Sequence, residues 1–194
     1  MNNIDTSIFK AYDIRGVYPT QINEDLAYKI AQAYCKFIQP RTVVVGRDVR
    51  LSGPALHAQV IKGFTDFGVN VIDIGTVTTD MMYFAVVHTG ADGGLMVTAS
   101  HNPKEYNGVK MVRAKSAPIS GDNGIYEIRD IAASGFSFMA EQQGSVSNLD
   151  VREPYLEKVF SVVDAAKIKP LKVAANLNFG AIGQNVQAAV KKFN

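Results

Sequence analysis

Apolar residues recur at positions 26, 27, 30, 31, 33, 34, 37 and 38, directly after Asn23-Glu24-Asp25. That spacing lines one face of a helix, with an asparagine cap and acids at the positive end of its dipole, and Pro40 stops it. Thr42 to Gly46 is a short apolar run, the mark of a strand buried on both faces. Ser52 caps a second helix that runs to Gly68, a glycine suited to the left-handed turn that ends helices. Val69 to Ile74 predicts the next strand, closed by Gly75, and Thr79 or Asp80 caps a third helix to about His88. Gly94 to Thr98 is a third buried strand, and Ala99 to Asn107 a polar loop containing Pro103. Gly108 to Val112 is strand-like, and Ser120 to Gly124 starts a last helix.

Strands alternating with amphipathic helices define an α/β fold: a mixed, largely parallel sheet flanked by helices. Ser134 to Asn148 is rich in Ser, Gly and Gln and marks a boundary, which divides the chain into a domain at 1–148 and a second unit at 149–194. In the second unit Glu153 to about Lys167 predicts a helix, Leu171 to Ala175 a strand, Gly180 to Gly183 a turn and Gln184 to Phe193 a short helix. A sheet needs about three or more strands. The second unit is therefore expected to be the incomplete start of another α/β domain, cut short by the chain end. Such a piece exposes a strand edge and apolar surface, which favours a non-native dimer.

Composition narrows the partners. Hydrophobic residues make up 47% of 194, enough for a core, and the net charge of +2 comes without a dense Lys/Arg run, so no nucleic-acid partner is expected. No apolar stretch reaches the ~20 residues needed to span a bilayer, and the polar start Met1 to Ile8 is no signal peptide, so no membrane association is expected. Cys35 is the single cysteine; it lies in the apolar helical pattern, predicts a core thiol and suits a cytoplasmic location. His57 and His88 fall on helical segments as structural residues and Met81 and Met82 as core; Arg47 and Asp48 read as a structural pair, while their place after a strand end leaves a site role open.

The chemistry concentrates in Thr98-Ala-Ser-His-Asn-Pro-Lys-Glu-Tyr-Asn-Gly-Val-Lys110. This loop follows the carboxyl end of a buried strand, the edge where α/β sheets bind ligands. Ser100 offers a hydroxyl and His101 lies beside it. Adjacent residues seldom make a hydrolytic triad, and no G-x-S-x-G elbow is present. A phosphoserine fits better: it carries nearly two negative charges and would attract Lys110, an arginine and backbone amides. Phe9-Lys-Ala-Tyr-Asp-Ile-Arg-Gly16 supplies the arginine, Arg15, whose planar fork suits phosphate and which Asp13 could anchor.

These two stretches resemble the N-terminal and phosphoserine-loop signatures of the α-D-phosphohexomutase superfamily. Met111-Val-Arg and Ala117 to Gly124 look like its phosphomannomutase/phosphoglucomutase branch, and Gly46-Arg-Asp48 with Ser52-Gly53 is also family-like. The resemblance implies domains around a deep cleft and a phosphoserine that exchanges its phosphoryl group with a hexose phosphate. It implies interconversion of mannose 6-phosphate and mannose 1-phosphate through a hexose 1,6-bisphosphate; the alternatives are a phosphoglucomutase or a stand-alone sugar-phosphate-binding module without turnover. By motif position Ser100 resembles the phosphoryl carrier, Arg15 and Lys110 the flanking cations, and His101 and Tyr12 residues that contact the sugar phosphate. The resemblance also implies Mg2+, held through the Ser100 phosphate and an Asp-Gly-Asp loop that these residues lack. The chain is accordingly expected to be an N-terminal fragment without mutase activity of its own, opening its second domain at the Gly-rich turn Asn176 to Gly183.

Overall fold

A computed structural model describes residues 4–164, 167–169 and 171–193. In chain order the elements are β1 (Ile14–Val17), α1 (Glu24–Ile38), β2 (Thr42–Arg47), α2 (Gly53–Asp66), β3 (Asn70–Thr76), α3 (Thr79–Thr89), β4 (Gly93–Val97) and β5 (Tyr106–Arg113). They are followed by α4 (Ile125–Ala133), β6 (Val146–Asn148), α5 (Arg152–Ser161) and α6 (Gly183–Phe193). The strands form one sheet in the order β1-β5-β4-β2-β3-β6. β4, β2, β3 and β6 run parallel, and β5 pairs antiparallel with both β4 and β1. This is the mixed, largely parallel sheet that the alternating pattern predicts.

The wholly apolar strands are explained by cover on both faces. Val43, Val45, Leu95, Val97 and Val109 bury into a core with Ile30 of α1, Leu56 and Phe64 of α2 and Ile128 of α4. The alternate residues Val44, Met96 and Val112 point the other way, into a second core with Met81, Met82 and Val86 of α3. Asn23 caps α1 by accepting from the Leu26 N–H at 3.0 Å, and Gln39 ends it in the left-handed conformation at φ 55°. Cys35 is fully buried, and burial pushes its thiol far above the ordinary range. Native protein should therefore resist iodoacetamide at pH 8 for hours and react fully in denaturant. Stoichiometric alkylation of the native chain within minutes would contradict this placement.

The topology sets the site. β2 connects onward through α2 to β3 on one side, whereas β4 connects directly to β5 on the other. Between these two strands the connections diverge, and the crevice outside their carboxyl ends is where open α/β sheets take ligands.

Several expectations are corrected. Leu171 to Ala175 forms no strand: Leu171 and Val173 are 77% and 76% exposed, so the apolar residues of this run are not buried against a core. α5 stops at Ser161, short of the expected Lys167, because Val162 beyond it is 75% exposed and has no core to bury against; Ala165 and Ala166 lie outside the described residues. β1 and β6 were not anticipated, since each is very short. β6 extends the sheet beyond β3 from inside the Ser/Gly/Gln-rich stretch, and Phe136 and Phe138 of that stretch pack on Phe67. Residues beyond 148 also pack against the α3 face of the sheet. Val151 is buried in the α3-side core, and Tyr155 packs edge-on to Phe84 and donates to Asp80. Among the described residues no helix is long and apolar enough to cross a membrane.

Candidate active site

The loop between β4 and β5 carries Ser100 at φ 54°, a left-handed conformation uncommon for serine. Its side chain faces solvent, but both of its backbone groups are held. The Ser100 N–H donates to Thr98 Oγ1 at 2.9 Å, and the Ser100 carbonyl accepts from Arg50 Nη2 at 3.0 Å. Arg50 also donates to the carbonyls of Asn102, Pro103 and Tyr106, at 2.6, 2.7 and 2.8 Å. Thr98 Oγ1 donates to Asp48 Oδ2 at 2.7 Å, and Arg50 Nε lies 3.4 Å from that same oxygen. One loop after β2 thus cradles the loop after β4, at the divergence point of the sheet.

The cations assemble on the neighbouring pair of strands. β1 and β5 run antiparallel with Arg15 opposite Gly108. At Gly108 even a methyl group would sit 2.0 Å from the Ile14 carbonyl oxygen, so only glycine permits this approach. Asp13 is buried and gathers both cations on one oxygen: Oδ2 accepts from Arg15 Nε at 2.8 Å and from Lys110 Nζ at 2.7 Å, with Arg15 Nη2 in ion-pair contact at 2.7 Å. Arg15 Nη1 reaches on to Asn102 Oδ1 at 3.0 Å and ties this cluster to the serine loop.

A cleft of about 650 Å³ is lined by Ser100, His101 and Asn102 of the serine loop together with Leu177 and Gly180. Ser100 Oγ and His101 Nδ1 are 3.3 Å apart. Of the residues expected in the site, Ser100 and His101 line this cleft, whereas Arg15 and Lys110 stand outside its lining with Asn102 as the link. Tyr12 also lies outside it and is 81% exposed. The expected Arg47–Asp48 pair is corrected: Arg47 Nη1 donates to the Asp48 carbonyl at 3.1 Å, while the Asp48 carboxylate serves Thr98 and Arg50. Ser52, read as a helix cap, makes no cap bond; its Oγ accepts from Asn107 Nδ2 at 2.8 Å, a tie between the loop after β2 and the start of β5.

Arg50 is the site-building residue that sequence reasoning missed; Asp48, whose site role was open, and Thr98 of the serine motif are its partners in the site. The signal that could have found Arg50 was an arginine just past a buried strand end, beside a family-like stretch. His57 is structural as expected: it is buried with Nε2 3.1 Å from Asp73 Oδ1. Burial raises the Asp73 carboxyl, but hydrogen bonds from His57 and the Gly75 N–H outweigh it and leave the group below its ordinary value.

Magnesium, implied by the resemblance, finds no cage in these residues. Among the described residues no group of three or more His, Cys, Asp or Glu could hold a metal. The carboxylate of Asp48 is already engaged by Thr98 and by Arg50. Hard cations need several oxygen ligands, so the donor set does not fit.

Residues 6–137 match the model of the phosphoglucomutase/phosphomannomutase α/β/α domain I, and the chain belongs to that family. Among its relatives, a phosphomannomutase of Escherichia coli K12 is 43% identical over 187 residues, covering 95% of this chain and 41% of that protein. Proteins named phosphohexose mutases, from Xanthomonas campestris, are 44% identical over 90% of this chain and 39% of theirs. A crystal structure of a phosphoglucomutase/phosphomannomutase family protein from Burkholderia thailandensis superposes with a TM-score of 0.83 at 35% identity, covering 98% of this chain and 43% of that one. The chain thus spans about 41% of the length of the curated relatives it matches first.

Proposed function

We propose that this chain is the phosphoserine-bearing part of a phosphomannomutase, in which Ser100 passes a phosphoryl group to and from hexose phosphates. The observation that carries the reading is Ser100 itself: its peptide is clamped on both sides while its hydroxyl stays exposed in a cleft at the sheet's ligand edge. A group that must give and receive a phosphoryl needs that combination of fixed position and access, because phosphoryl transfer is catalysed mainly by positioning and compensating charge.

In the donating step the bond from phosphorus to Ser100 Oγ breaks as a bond to a sugar hydroxyl oxygen forms. The hydroxyl proton ends on Ser100 Oγ, and His101, with Nδ1 3.3 Å away, is in reach to relay it. The resulting hexose 1,6-bisphosphate returns its other phosphate to Ser100 by the reverse exchange. Arg15 and Lys110 supply positive charge next to the serine loop, with Asn102 joining them to it. Residues 1–148 would form the carrier domain and 149–194 the start of the next, with mannose phosphates preferred over glucose phosphates and a cytoplasmic setting suited to the lone buried thiol.

The test is intact mass after incubation with mannose 1,6-bisphosphate, with a glucose 1,6-bisphosphate arm for specificity. The wild-type chain should gain one phosphate, mapped to Ser100, and Ser100→Ala should gain none. No uptake by the wild type, or equal uptake by Ser100→Ala, would refute the reading.

A further inference from the structure

We infer that Arg50 is a positioning residue that holds the serine loop ready for transfer before any sugar phosphate arrives. The inference rests on the phosphoserine reading of Ser100. A guanidinium has five N–H donors in a fixed fork. Here four donate to carbonyls of the serine loop and of the first residue of β5, those of Ser100, Asn102, Pro103 and Tyr106, while the fifth, on Nε, makes no hydrogen bond and lies 3.4 Å from Asp48 Oδ2 as an ion pair. All of these partners are set by the protein itself, and the Arg50 side chain is only 10% exposed.

The contacts close a ring. Ser100 donates through its N–H to Thr98, Thr98 donates to Asp48, Asp48 pairs with Arg50, and Arg50 donates back to the Ser100 carbonyl. Asp48 Oδ1 also accepts the Arg50 N–H at 2.9 Å, which fixes where the arginine starts. With its N–H and its carbonyl both held, the Ser100 peptide cannot rotate out of the left-handed conformation without breaking the ring. That conformation is disfavoured for a residue with a side chain, so the ring supplies what the serine's own backbone preference does not. The carrier hydroxyl is thereby aimed by an arginine fifty positions upstream, on the loop that meets it across the divergence point of the sheet. Lysine could not replace Arg50, since an ammonium has three donors on one atom and no fork.

Two measurements separate this role from mere structural support. The first is hydrogen exchange of the Ser100, Asn102 and Tyr106 amides, which bond within the loop, with α1 as internal reference. Arg50→Lys should speed loop exchange at least about tenfold while α1 keeps its protection. Thr98→Val, which cuts the ring at its far side without changing volume much, should do the same. The second is the time course of phosphate uptake from mannose 1,6-bisphosphate. Uptake at saturation should fall roughly a hundredfold in Arg50→Lys, the scale of a small misplacement of a reacting group, while the half-saturating bisphosphate concentration stays unchanged. Wild-type loop exchange and uptake in Arg50→Lys would overturn the inference, since charge alone would then suffice. A change confined to half-saturation would also overturn it. The exchange arm needs no catalysis, so it reads Arg50 even if wild-type Ser100 takes up no phosphate, a result that would count against the phosphoserine reading alone.

Discussion

Gly108→Ala is expected to destabilise the domain by ~3 kcal/mol, the upper part of the range for overpacking a close contact. The new methyl would lie 2.0 Å from the Ile14 carbonyl oxygen and 3.2 Å from Arg15 Cα, both backbone atoms that cannot rotate aside. Relief requires β1 to part from β5, which breaks the pairing of Arg15 with Gly108 and of Ile14 with Val109. For a chain of this size ~3 kcal/mol corresponds to a melting temperature lower by about 10 °C, readable by circular dichroism. The same separation moves Arg15 away from Lys110, so phosphate uptake should fall as well. A melting temperature within about 2 °C of wild type would show that β1 is not held as described.

The second large effect is expected at Asp13. Its Oδ2 accepts one hydrogen bond from each of two cations, with the carboxylate side chain 8% exposed and Arg15 and Lys110 at 23% and 21%. Asp13→Asn keeps the shape but removes the charge, leaving an arginine and a lysine side by side without their common counter-ion. Hydrogen bonds to charged groups are worth about 1.5–3 kcal/mol when buried. The partial exposure of both cations discounts this, so a loss of about 2 kcal/mol is expected in a urea titration. Phosphate uptake by Ser100 should drop at least about tenfold, because repulsion drives the cations apart and Arg15 no longer holds Asn102 in the serine loop. Unchanged stability together with unchanged uptake would mean that solvent screens this cluster and that Asp13 organises nothing.

Much of the fold was legible because it is written in local pattern. The 3.6-residue spacing of α1 and the fully apolar runs of β2 and β4 follow from one helical face buried and two strand faces covered. The serine loop was legible for a different reason: its motif is long and resembles the signature of a known family. What escaped notice depends on partners far away in the chain. β6 is a three-residue strand that exists because β3 offers an open edge. Leu171 to Ala175 has strand composition yet pairs with no described strand, and Leu171 and Val173 stay exposed.

The same division runs through the site. By itself the sequence determined the sheet class, the placement of Ser100 on a loop at a strand's carboxyl end, and the supply of cations at Arg15 and Lys110. Each is a matter of periodicity, of turn chemistry or of which side chains carry charge. Only the tertiary structure decided which groups meet: that Asp13 collects both cations on one oxygen, that Asp48 pairs with Arg50 rather than Arg47, and that Arg50 grips the serine loop by four carbonyls. Carbonyl oxygens are present at every position and leave no trace in the sequence, so a residue that recognises backbone becomes visible only when the strands bring its loop and its target together.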